Sequence, residues 1–456
     1  MSTTQISHTP IDATTFAARR EKFAAHIRAK SGSGIAILRT APEVYRNRDS
    51  DFPYRHDSDF YYLTGFTEPD AVLVIKVDSN SHTSHLFCRP KNLEREIWDG
   101  IRLGPEAAPE VLKVDFAHSI DEIDGVMPEL MANQENIYYR LAANSSTDQS
   151  MRTWMESLRA KARAGVKKPE QAHDIEQLIH EMRLFKESAE IAIMAASAKI
   201  AAQAHLQALR VCKPGLREYH LEAELLHVFR QYGAQSVAYN SIVAAGANSC
   251  ILHYRADNAE LRNGDLCLID AGCELDSYAS DITRTFPING KFSPAQKMAY
   301  EIVLASQEAA MAATKPGKHF QEPHEAALKV LVEGLFEMKV LHTNKHGTIE
   351  DAITSGAYQP YYMHRTSHWL GMDVHDVGSY REPGDVHQAW RTLREGMSLT
   401  IEPGLYFRPS EDVPSEFWNI GIRIEDDVVI TSTGSQILTR DVPVTVAEIE
   451  QCMKGA

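Results

Sequence analysis

The sequence predicts an α+β protein with a smaller N-terminal α/β domain and a C-terminal domain that is built from two similar halves. Three observations predict this organisation. Helix and strand signals alternate through the first third of the chain, the pattern breaks near residues 164–170, and one order of helices and acidic strands then occurs twice. We therefore expect an N-terminal domain over residues 1–172 and a C-terminal domain over residues 173–456.

The N-terminal domain begins with a predicted helix over residues 15–30. Residues 34–38 and 71–77 are short apolar runs that are typical of strands in an α/β sheet. Between these strands, residues 45–55 are rich in charged and aromatic side chains, which predicts a loop. This loop is either solvated or reaches the pocket of the other domain. The glycine and proline of residues 164–170 then predict the linker.

The C-terminal domain contains the same order of helices and stop signals twice. One predicted helix covers residues 175–210 and stops at Lys-Pro-Gly, and a second helix runs to about residue 233. A Ser-Pro-Ala-Gln capping box begins the next helix, which runs to residue 314 and also stops at Lys-Pro-Gly, before a helix over residues 323–338. This repetition predicts a duplicated domain, with strands in a central sheet and helices outside it.

Each half also carries acidic strands. One pattern of a glycine, a strand and an acid-x-Gly turn occurs twice, 132 residues apart, and its acids are Asp270 and Glu402. A second acidic strand follows each copy and contributes Asp281 and Glu425. Apolar neighbours predict that these carboxylates are buried. Because four buried carboxylates need protons or cations to neutralise them, a bound metal is the simplest explanation.

Histidines supply further metal-binding candidates. His364, His368 and His375 lie in one short segment, and His253 lies upstream. On a helix, His364 and His368 would share a face, as in helical zinc sites, but Gly371 favours a loop that leads into a strand. Carboxylate and imidazole ligands without thiolate favour Mn, Mg, Co, Fe or Zn over Cu. Two such ions about 3.5 Å apart can share a hydroxide and polarise a carbonyl or phosphoryl oxygen.

Composition argues against several classes of function. The net charge of −15 disfavours a nucleic-acid partner, because few cations remain to neutralise phosphates. No segment approaches 18 apolar residues, so we expect no membrane span, and the polar residues 1–12 predict no secretory signal peptide. The six scattered cysteines form no C-x-x-C pair, which is typical of reduced thiols and predicts a cytoplasmic protein.

The acids and one histidine occur in an order that is recognisable. Asp270, Asp281, His368, Glu402 and Glu425 resemble the five-ligand set of the pita-bread metallopeptidases, which include methionine aminopeptidase, prolidase and aminopeptidase P. The segments that carry the resemblance are residues 364–371, 373–378, 400–406 and 421–426 and, in the N-terminal third, residues 57–66 and 95–100. The N-terminal segments and the Ser-His-Trp sequence at His368 are similar to bacterial aminopeptidase P, whereas prolidases more often carry glycine before that histidine.

This resemblance implies a site for two divalent metal ions, with Mn²⁺ foremost and Co²⁺, Fe²⁺ or Zn²⁺ as alternatives. It implies that Asp270 chelates one ion, that His368 binds the other, and that Asp281 and Glu425 bridge them. Glu402 would be both a ligand and the residue that handles the proton, while a hydroxide between the ions attacks the scissile carbonyl.

The resemblance also implies catalytic or substrate-binding roles around the metals. His375 would stabilise the oxyanion, and His253 and His364 would line the substrate side. Arg423 would contact His364 or a substrate carbonyl, or else only balance the acids, and Tyr406 would support the site or only fill the core. Arg365 departs from the family, which usually has glycine at this position, and it would narrow the pocket mouth or alter the rate.

The implied function is an Xaa-Pro aminopeptidase that removes the first residue from peptides with proline second. The alternative is a prolidase that acts on Xaa-Pro dipeptides, with side activity on phosphotriesters. A metal-free binding module or a creatinase-like hydrolase is a weaker alternative, because all five ligands are present. We also expect a homo-oligomer, a dimer or a tetramer, in which Trp98 either reaches a neighbouring pocket or is an ordinary tryptophan.

Overall fold

The structure is a computed structural model that describes residue 6 and residues 8–454. The ends of the predicted domains and part of the polar N-terminal segment, at residues 1–5, 7, 455 and 456, lie outside the described residues. The described chain forms two compact units. One covers residues 11–183, and the other covers residues 184–454 with the short segment before residue 11. The predicted domain boundary after residue 172 stays a prediction.

The N-terminal unit is a mixed sheet with helices packed around it. Its helices are α1 (Ala13–Ser31), α2 (Ser58–Thr64), α3 (Leu93–Asp99), α4 (Ala108–Leu112), α5 (Ile123–Met131) and α6 (Ser145–Ala160), followed by α7 (Glu176–Leu184). Its strands are β1 (Gly34–Arg39), β2 (Tyr45–Asn47), β3 (Ser50–Asp51), β4 (Val72–Val77), β5 (His82–Cys88), β6 (Phe116–Ser119), β7 (Asn136–Tyr139) and β8 (Gln171–Asp174). Six strands form one sheet in the order β6-β5-β4-β1-β7-β8, with antiparallel pairing in β5-β4-β1 and parallel pairing elsewhere.

Three predicted elements of this unit are confirmed. The helix over residues 15–30 is α1, which begins after Asp12, whose side chain accepts a hydrogen bond from the backbone N–H of Thr15. The two predicted strands are β1 and β4, and they pair with each other. The predicted loop over residues 45–55 contains the short exposed hairpin β2-β3, so the loop assignment is wrong for those strands. Its reach to another pocket stays a prediction.

The C-terminal unit contains the remaining elements. Its helices are α8 (Ser188–Val211), α9 (Glu218–Gln231), α10 (Pro294–Ala313), α11 (Glu322–Glu337), α12 (Thr343–His346), α13 (Ile349–Ser355) and α14 (Val446–Lys454). Its strands are β9 (Ser236–Val237), β10 (Ile242–Ala245), β11 (Leu266–Asp270), β12 (Cys273–Leu275), β13 (Tyr278–Ala279), β14 (Thr283–Pro287), β15 (Ser398–Ile401), β16 (Gly404–Phe407), β17 (Ile420–Arg423), β18 (Asp426–Ile430) and β19 (Ser435–Ile437).

The predicted long helix over residues 175–210 is wrong, because the chain forms two helices there. The chain leaves the helix after α7, and the backbone N–H of Lys186 donates to the carbonyl oxygen of Gly396 at 2.8 Å. Glu187 then begins α8 with a capping box that it shares with Glu190. A long-range hydrogen bond and a new helix cap therefore interrupt a segment whose composition is helical throughout.

The strands of the C-terminal unit form several small sheets. The first half contributes β10-β11-β14 and the second half contributes β15-β18-β19 and β16-β17, while β13-β12-β9 forms a further sheet. The helix pairs α8 with α9 and α10 with α11 each pack together, which agrees with the predicted duplication. Buried apolar side chains of β15 and β18 pack on α10, α11 and Trp369 to form a hydrophobic core within the second half.

Two general features follow from these elements. Among the described residues, no helix is long and apolar enough to cross a membrane. All six cysteines lie in the described part of the chain, and all six are free thiols, five of them buried.

Candidate metal centre

A cavity of about 390 Å³ lies within the C-terminal unit. Predicted site residues that line the cavity are Asp270, Asp281, His368, Glu402, Glu425, His253, His364, His375 and Arg423. Arg365, which departs from the family pattern, lines it as well. The structure therefore brings together every predicted metal ligand, although these ligands are up to 155 residues apart in sequence.

The first-half acids are placed by the pair β11-β14. Asp270 is the last residue of β11, and Asp281 lies two residues before β14. The turn between them is tight at Gly272, where a Cβ atom would lie 1.6 Å from the carbonyl oxygen of Ser280. Only glycine allows this approach, because real Cβ contacts are not shorter than 3.0 Å. The backbone N–H of Asp281 also donates to the Asp427 carboxylate at 3.0 Å.

The second-half acids are placed by two neighbouring strand segments that share one antiparallel register. β15 pairs with β18 up to Ile401 opposite Asp426, and β16 pairs with β17 from Gly404 opposite Arg423, so the same register sets Glu402 opposite Glu425. Pro403 between β15 and β16 has no N–H to donate, and the ladder is interrupted at this point. Glu425 is also tied to the first half through Thr283. Its backbone N–H donates to the Thr283 carbonyl at 3.0 Å, and the Thr283 hydroxyl donates to its carboxylate at 2.6 Å.

His368 presents one ring nitrogen to the acids. Its Nδ1 lies 3.0 Å from the Trp369 carbonyl oxygen and must donate a hydrogen bond to it. In the neutral ring, Nε2 therefore carries no proton, and its lone pair is available to a metal ion. Nε2 lies 3.5 Å from an oxygen of Asp281 and 3.6 Å from an oxygen of Glu402. Residues around His368 run beside β15 as an extended segment rather than a helix, as the loop prediction expected.

The geometry and electrostatics of this group fit divalent metal ions. Ligand atoms of Asp281, His368 and Glu425 all lie within 4.8 Å of one another. Burial, followed by repulsion from neighbouring carboxylates, raises the pKa values of Asp281 and Glu425 well above the usual range. Burial also raises the pKa of Glu402 to about 7. Carboxylates in this condition gain stability from bound cations, and oxygen with imidazole donors suits Mn²⁺, Mg²⁺, Fe²⁺, Co²⁺ or Zn²⁺.

A chain of hydrogen bonds connects the acids with His364. Arg423 donates to Asp270 at 2.7 Å and to the Tyr406 hydroxyl at 2.9 Å. The Nδ1 of His364 lies 2.8 Å from the Arg365 carbonyl oxygen and must donate to it, so Nε2 accepts from the Tyr406 hydroxyl at 2.8 Å. Burial lowers the pKa of His364 to about 3, and this ring is therefore neutral. Arg423 thus reaches His364 through Tyr406 and not directly.

The other two histidines lie on more open parts of the cavity wall. His375 is exposed, and its ring packs edge-on against the ring of His368 with centroids 4.4 Å apart. Burial of part of the ring lowers the pKa of His375, and the neighbouring His368 lowers it further. His253 is exposed on the same cavity. Both rings can therefore meet a molecule that enters the cavity.

Tyr239 is the residue of this site that sequence reasoning missed. Its hydroxyl contacts Asp270 Oδ1 at 2.5 Å and also contacts Asp281 Oδ1. Burial, together with the nearby carboxylates, raises the pKa of this phenol well above its usual value. Tyr239 lies in the short connection between β9 and β10, where no charge pattern or motif distinguishes it from an ordinary tyrosine.

A second feature without a sequence signal is a buried ion pair behind the histidines. Lys186 Nζ donates to Asp376 at 2.8 Å, and each side chain is 1% exposed. The backbone N–H of Asp376 donates to the Trp369 carbonyl at 2.9 Å, which closes the segment between His368 and His375. The pair therefore supports the segment that carries both rings.

The class of protein follows from this site and from its family. Residues 192–432, more than half of the chain, match the model of metallopeptidase family M24, and residues 16–138 match the aminopeptidase P N-terminal domain. The chain belongs to metallopeptidase family M24, and it is a hydrolase of the metallo-exopeptidase kind. The predicted fold class, a pita-bread catalytic domain preceded by a smaller α/β domain, is confirmed.

Particular relatives of known name are similar over nearly the whole chain. The chain is 45% identical to the Xaa-Pro aminopeptidase of Escherichia coli over 422 residues, which cover 92% of this chain and 94% of the relative. It is 33% identical to the human Xaa-Pro dipeptidase, with 96% of this chain and 93% of that protein covered. The relatives therefore include enzymes named for each of the two predicted activities, an Xaa-Pro aminopeptidase and an Xaa-Pro dipeptidase.

Solved structures agree with these relatives. The Pseudomonas aeruginosa aminopeptidase PepP has a TM-score of 0.94 and 47% identity, and 98% of this chain and 99% of that chain are covered. A variant of Escherichia coli aminopeptidase P in complex with substrate has a TM-score of 0.93 and 43% identity, with the same coverage. At this identity the similarity extends well beyond the fold.

Proposed function

We propose that the protein is a dinuclear Xaa-Pro aminopeptidase, which releases the first residue from peptides whose second residue is proline. The observation that carries this proposal is the joint position of four acids and His368 in one cavity of a chain that is 45% identical to an Xaa-Pro aminopeptidase. We further propose that peptides are its partners, that Mn²⁺ is its metal, that it is cytoplasmic, and that it forms homo-oligomers.

The proposed ligands are Asp270, Asp281, His368, Glu402 and Glu425. Two divalent ions held there would supply Lewis acidity to the scissile carbonyl and would lower the pKa of a water molecule. His368 suits this role because its Nδ1 already donates to the Trp369 carbonyl, which orients Nε2 towards the acids. Asp281 and Glu425 are the most deeply buried of the carboxylates, so they would gain most from a bound cation.

The residues around the acids would guide the substrate. Glu402 is more exposed than Glu425 and faces the cavity, so it can receive a proton from water and pass it to the departing amine. His375 lies beside His368 on the open wall and can donate to the oxyanion that develops on the carbonyl. His364 and His253 would position the peptide, and Arg423 with Tyr406 would hold the His364 ring in place.

The substrate class follows from the same surfaces. A free α-amine would lie against the buried acids, which limits cleavage to the first residue. Proline in the second position gives a tertiary amide with a fixed φ, and a rigid cavity can select that shape. The alternative remains a prolidase that acts on Xaa-Pro dipeptides, with phosphotriesters as a side activity of the same metal site.

The test compares two peptides on one preparation. The purified protein is stripped of metal with a chelator, restored with Mn²⁺, and assayed on an Xaa-Pro-Yaa tripeptide and an Xaa-Pro dipeptide. Faster hydrolysis of the tripeptide supports the proposal, and hydrolysis of the dipeptide alone makes the protein a prolidase. Asp281→Ala should abolish activity, whereas Asp441→Ala, which alters an exposed acid away from the cavity, should not.

A further inference from the structure

We propose that Arg365 binds a carboxylate of the substrate downstream of the proline, and that it thereby sets a preference for acidic substrates. The carboxylate is either the C-terminus of a short peptide or the side chain of Asp or Glu. This inference rests on the proposed function, since it concerns peptides that already occupy the cavity. It deepens that function by assigning a specificity residue that the five metal ligands do not include.

The first observation is an exposed cation on the cavity wall. Arg365 is exposed and lines the cavity beside His364. No carboxylate in the described part of the chain forms an ion pair with it. An arginine next to an active site with a free guanidinium edge is available to an anion that enters from solvent.

The second observation is that the guanidinium is held in place. Its central carbon lies 5.0 Å from the centroid of the Trp390 ring, and one of its terminal nitrogens donates to Gln321. A stacked guanidinium uses its face for the ring and keeps an edge with N–H donors for a planar carboxylate. A long side chain that is already oriented loses less entropy when it binds.

The other cavity arginines differ in what they already bind. Arg423 is buried, and its guanidinium is committed to Asp270 and to the Tyr406 hydroxyl. Arg255 is exposed and donates to the Asn240 carbonyl at 2.5 Å, but no aromatic ring stacks on it among the described residues. Arg255 is therefore a matched control, because it carries the same charge on the same cavity without the stacked orientation.

Position explains why the carboxylate would lie downstream. The backbone carbonyl of Arg365 accepts from His364 Nδ1 at 2.8 Å, so the arginine adjoins the histidine that is proposed to position the peptide. The substrate's free amine is drawn towards the buried acids. Its far end, which carries the negative charge in a short peptide, then points away from those acids, where a cation is the favourable neighbour.

The experiment uses the Mn²⁺-loaded full-length protein and three peptides. These are Ala-Pro-Leu with a free C-terminus, the same tripeptide as an amide, and Ala-Pro-Glu as an amide. Arg365→Gln should lower kcat/KM for the free acid about tenfold, mainly through KM, because a charge-assisted hydrogen bond contributes roughly one factor of ten. Cleavage of Ala-Pro-Leu amide should not change. Arg365→Lys should keep part of the preference, and added salt should weaken it.

The outcomes separate the two proposals. If the unmodified protein cleaves no peptide, the proposed function fails. If it cleaves the amide but Arg365→Gln lowers kcat/KM equally for every peptide, or for none, the assignment of Arg365 is wrong. An equal loss of preference in Arg255→Gln also overturns the assignment of Arg365, because the preference would then come from the overall positive charge of the cavity wall and not from one oriented arginine. A loss confined to Ala-Pro-Glu amide supports a side-chain carboxylate, and a loss confined to the free acid supports the C-terminus.

Discussion

Removal of the buried ammonium group of Lys186 is the perturbation whose effect the structure defines most clearly. Lys186→Met keeps an unbranched apolar side chain, one heavy atom shorter than lysine, and removes the ammonium group. Asp376 then stays buried at 1% exposure without the donor that lies 2.8 Å from it. Removing one side of a buried ion pair costs roughly 3–5 kcal/mol, because the remaining carboxylate loses its cationic counter-charge. We expect a loss of stability of that order.

The same change should also slow catalysis. A Cβ atom on Gly371 would lie 2.1 Å from Asp376 Oδ2 and 2.8 Å from Lys186 Cε, so the segment between the two histidines closes tightly around the pair. Movement of Asp376 should therefore shift the rings of His368 and His375. A displacement of about 1 Å near reacting groups costs on the order of 10²-fold in rate. We expect kcat/KM for an Xaa-Pro-Yaa peptide to fall by about that factor.

The assay is denaturant unfolding of the full-length protein together with steady-state kinetics. Lys345→Met is the matched control, because Lys345 also lies 2.7 Å from an acid, Asp412, but both side chains are more than half exposed. This control should leave stability and rate unchanged. The double variant Lys186→Met with Asp376→Asn removes both charges of the buried pair and should recover at least half of the lost stability. A loss below about 1 kcal/mol in Lys186→Met would contradict this prediction, since loss of the counter-charge of a buried carboxylate carries a penalty well above that value.

Three further predictions concern the same unit. Gly272→Ala places a Cβ atom 1.6 Å from the Ser280 carbonyl oxygen, so the turn must open by at least 1.4 Å for this contact to reach 3.0 Å. The metal content, measured by mass spectrometry, should fall together with the activity. Tyr239→Phe removes the hydroxyl between two acids and should weaken Mn²⁺ binding by about 10- to 100-fold in calorimetric titration, with an unchanged affinity as the contrary result. His205 is fully buried, and burial lowers its pKa from 6.5 to about 4. As the pH falls, the unfolded chain therefore gains a proton on His205 before the folded chain does. The contribution of His205 to the free energy of unfolding thus decreases between pH 6.5 and pH 4. At pH 5 this loss is about 2 kcal/mol. In thermal melts, the stability of His205→Gln relative to the unmodified protein should therefore rise between pH 7 and pH 5. A difference that stays constant with pH would contradict the prediction.

The sequence predicted the repeated features of this protein and missed the unrepeated ones. Asp270 and Glu402 were found because each ends a strand at an acid-x-Gly turn, and the same turn occurs in both halves. Such a signal is local, since glycine, strand and acid are neighbours in the chain. The resemblance to a known family then added His368 and the order of the five ligands.

What the sequence could not predict depends on contacts between distant residues. The break between α7 and α8 depends on a hydrogen bond from the Lys186 N–H to the Gly396 carbonyl, which no local sequence pattern predicts. Tyr239 joins two acids from a short connection whose residue types are ordinary.

The metal content of the purified protein is the most direct test of a dinuclear site in this cavity. The protein is stripped, loaded with Mn²⁺, dialysed and measured by inductively coupled plasma mass spectrometry, and Asp281→Ala is treated in parallel. We expect about two ions per chain, as in a dinuclear site, with fewer ions and no tripeptide hydrolysis in the variant. Full hydrolysis of an Xaa-Pro-Yaa peptide by the metal-free protein would contradict it.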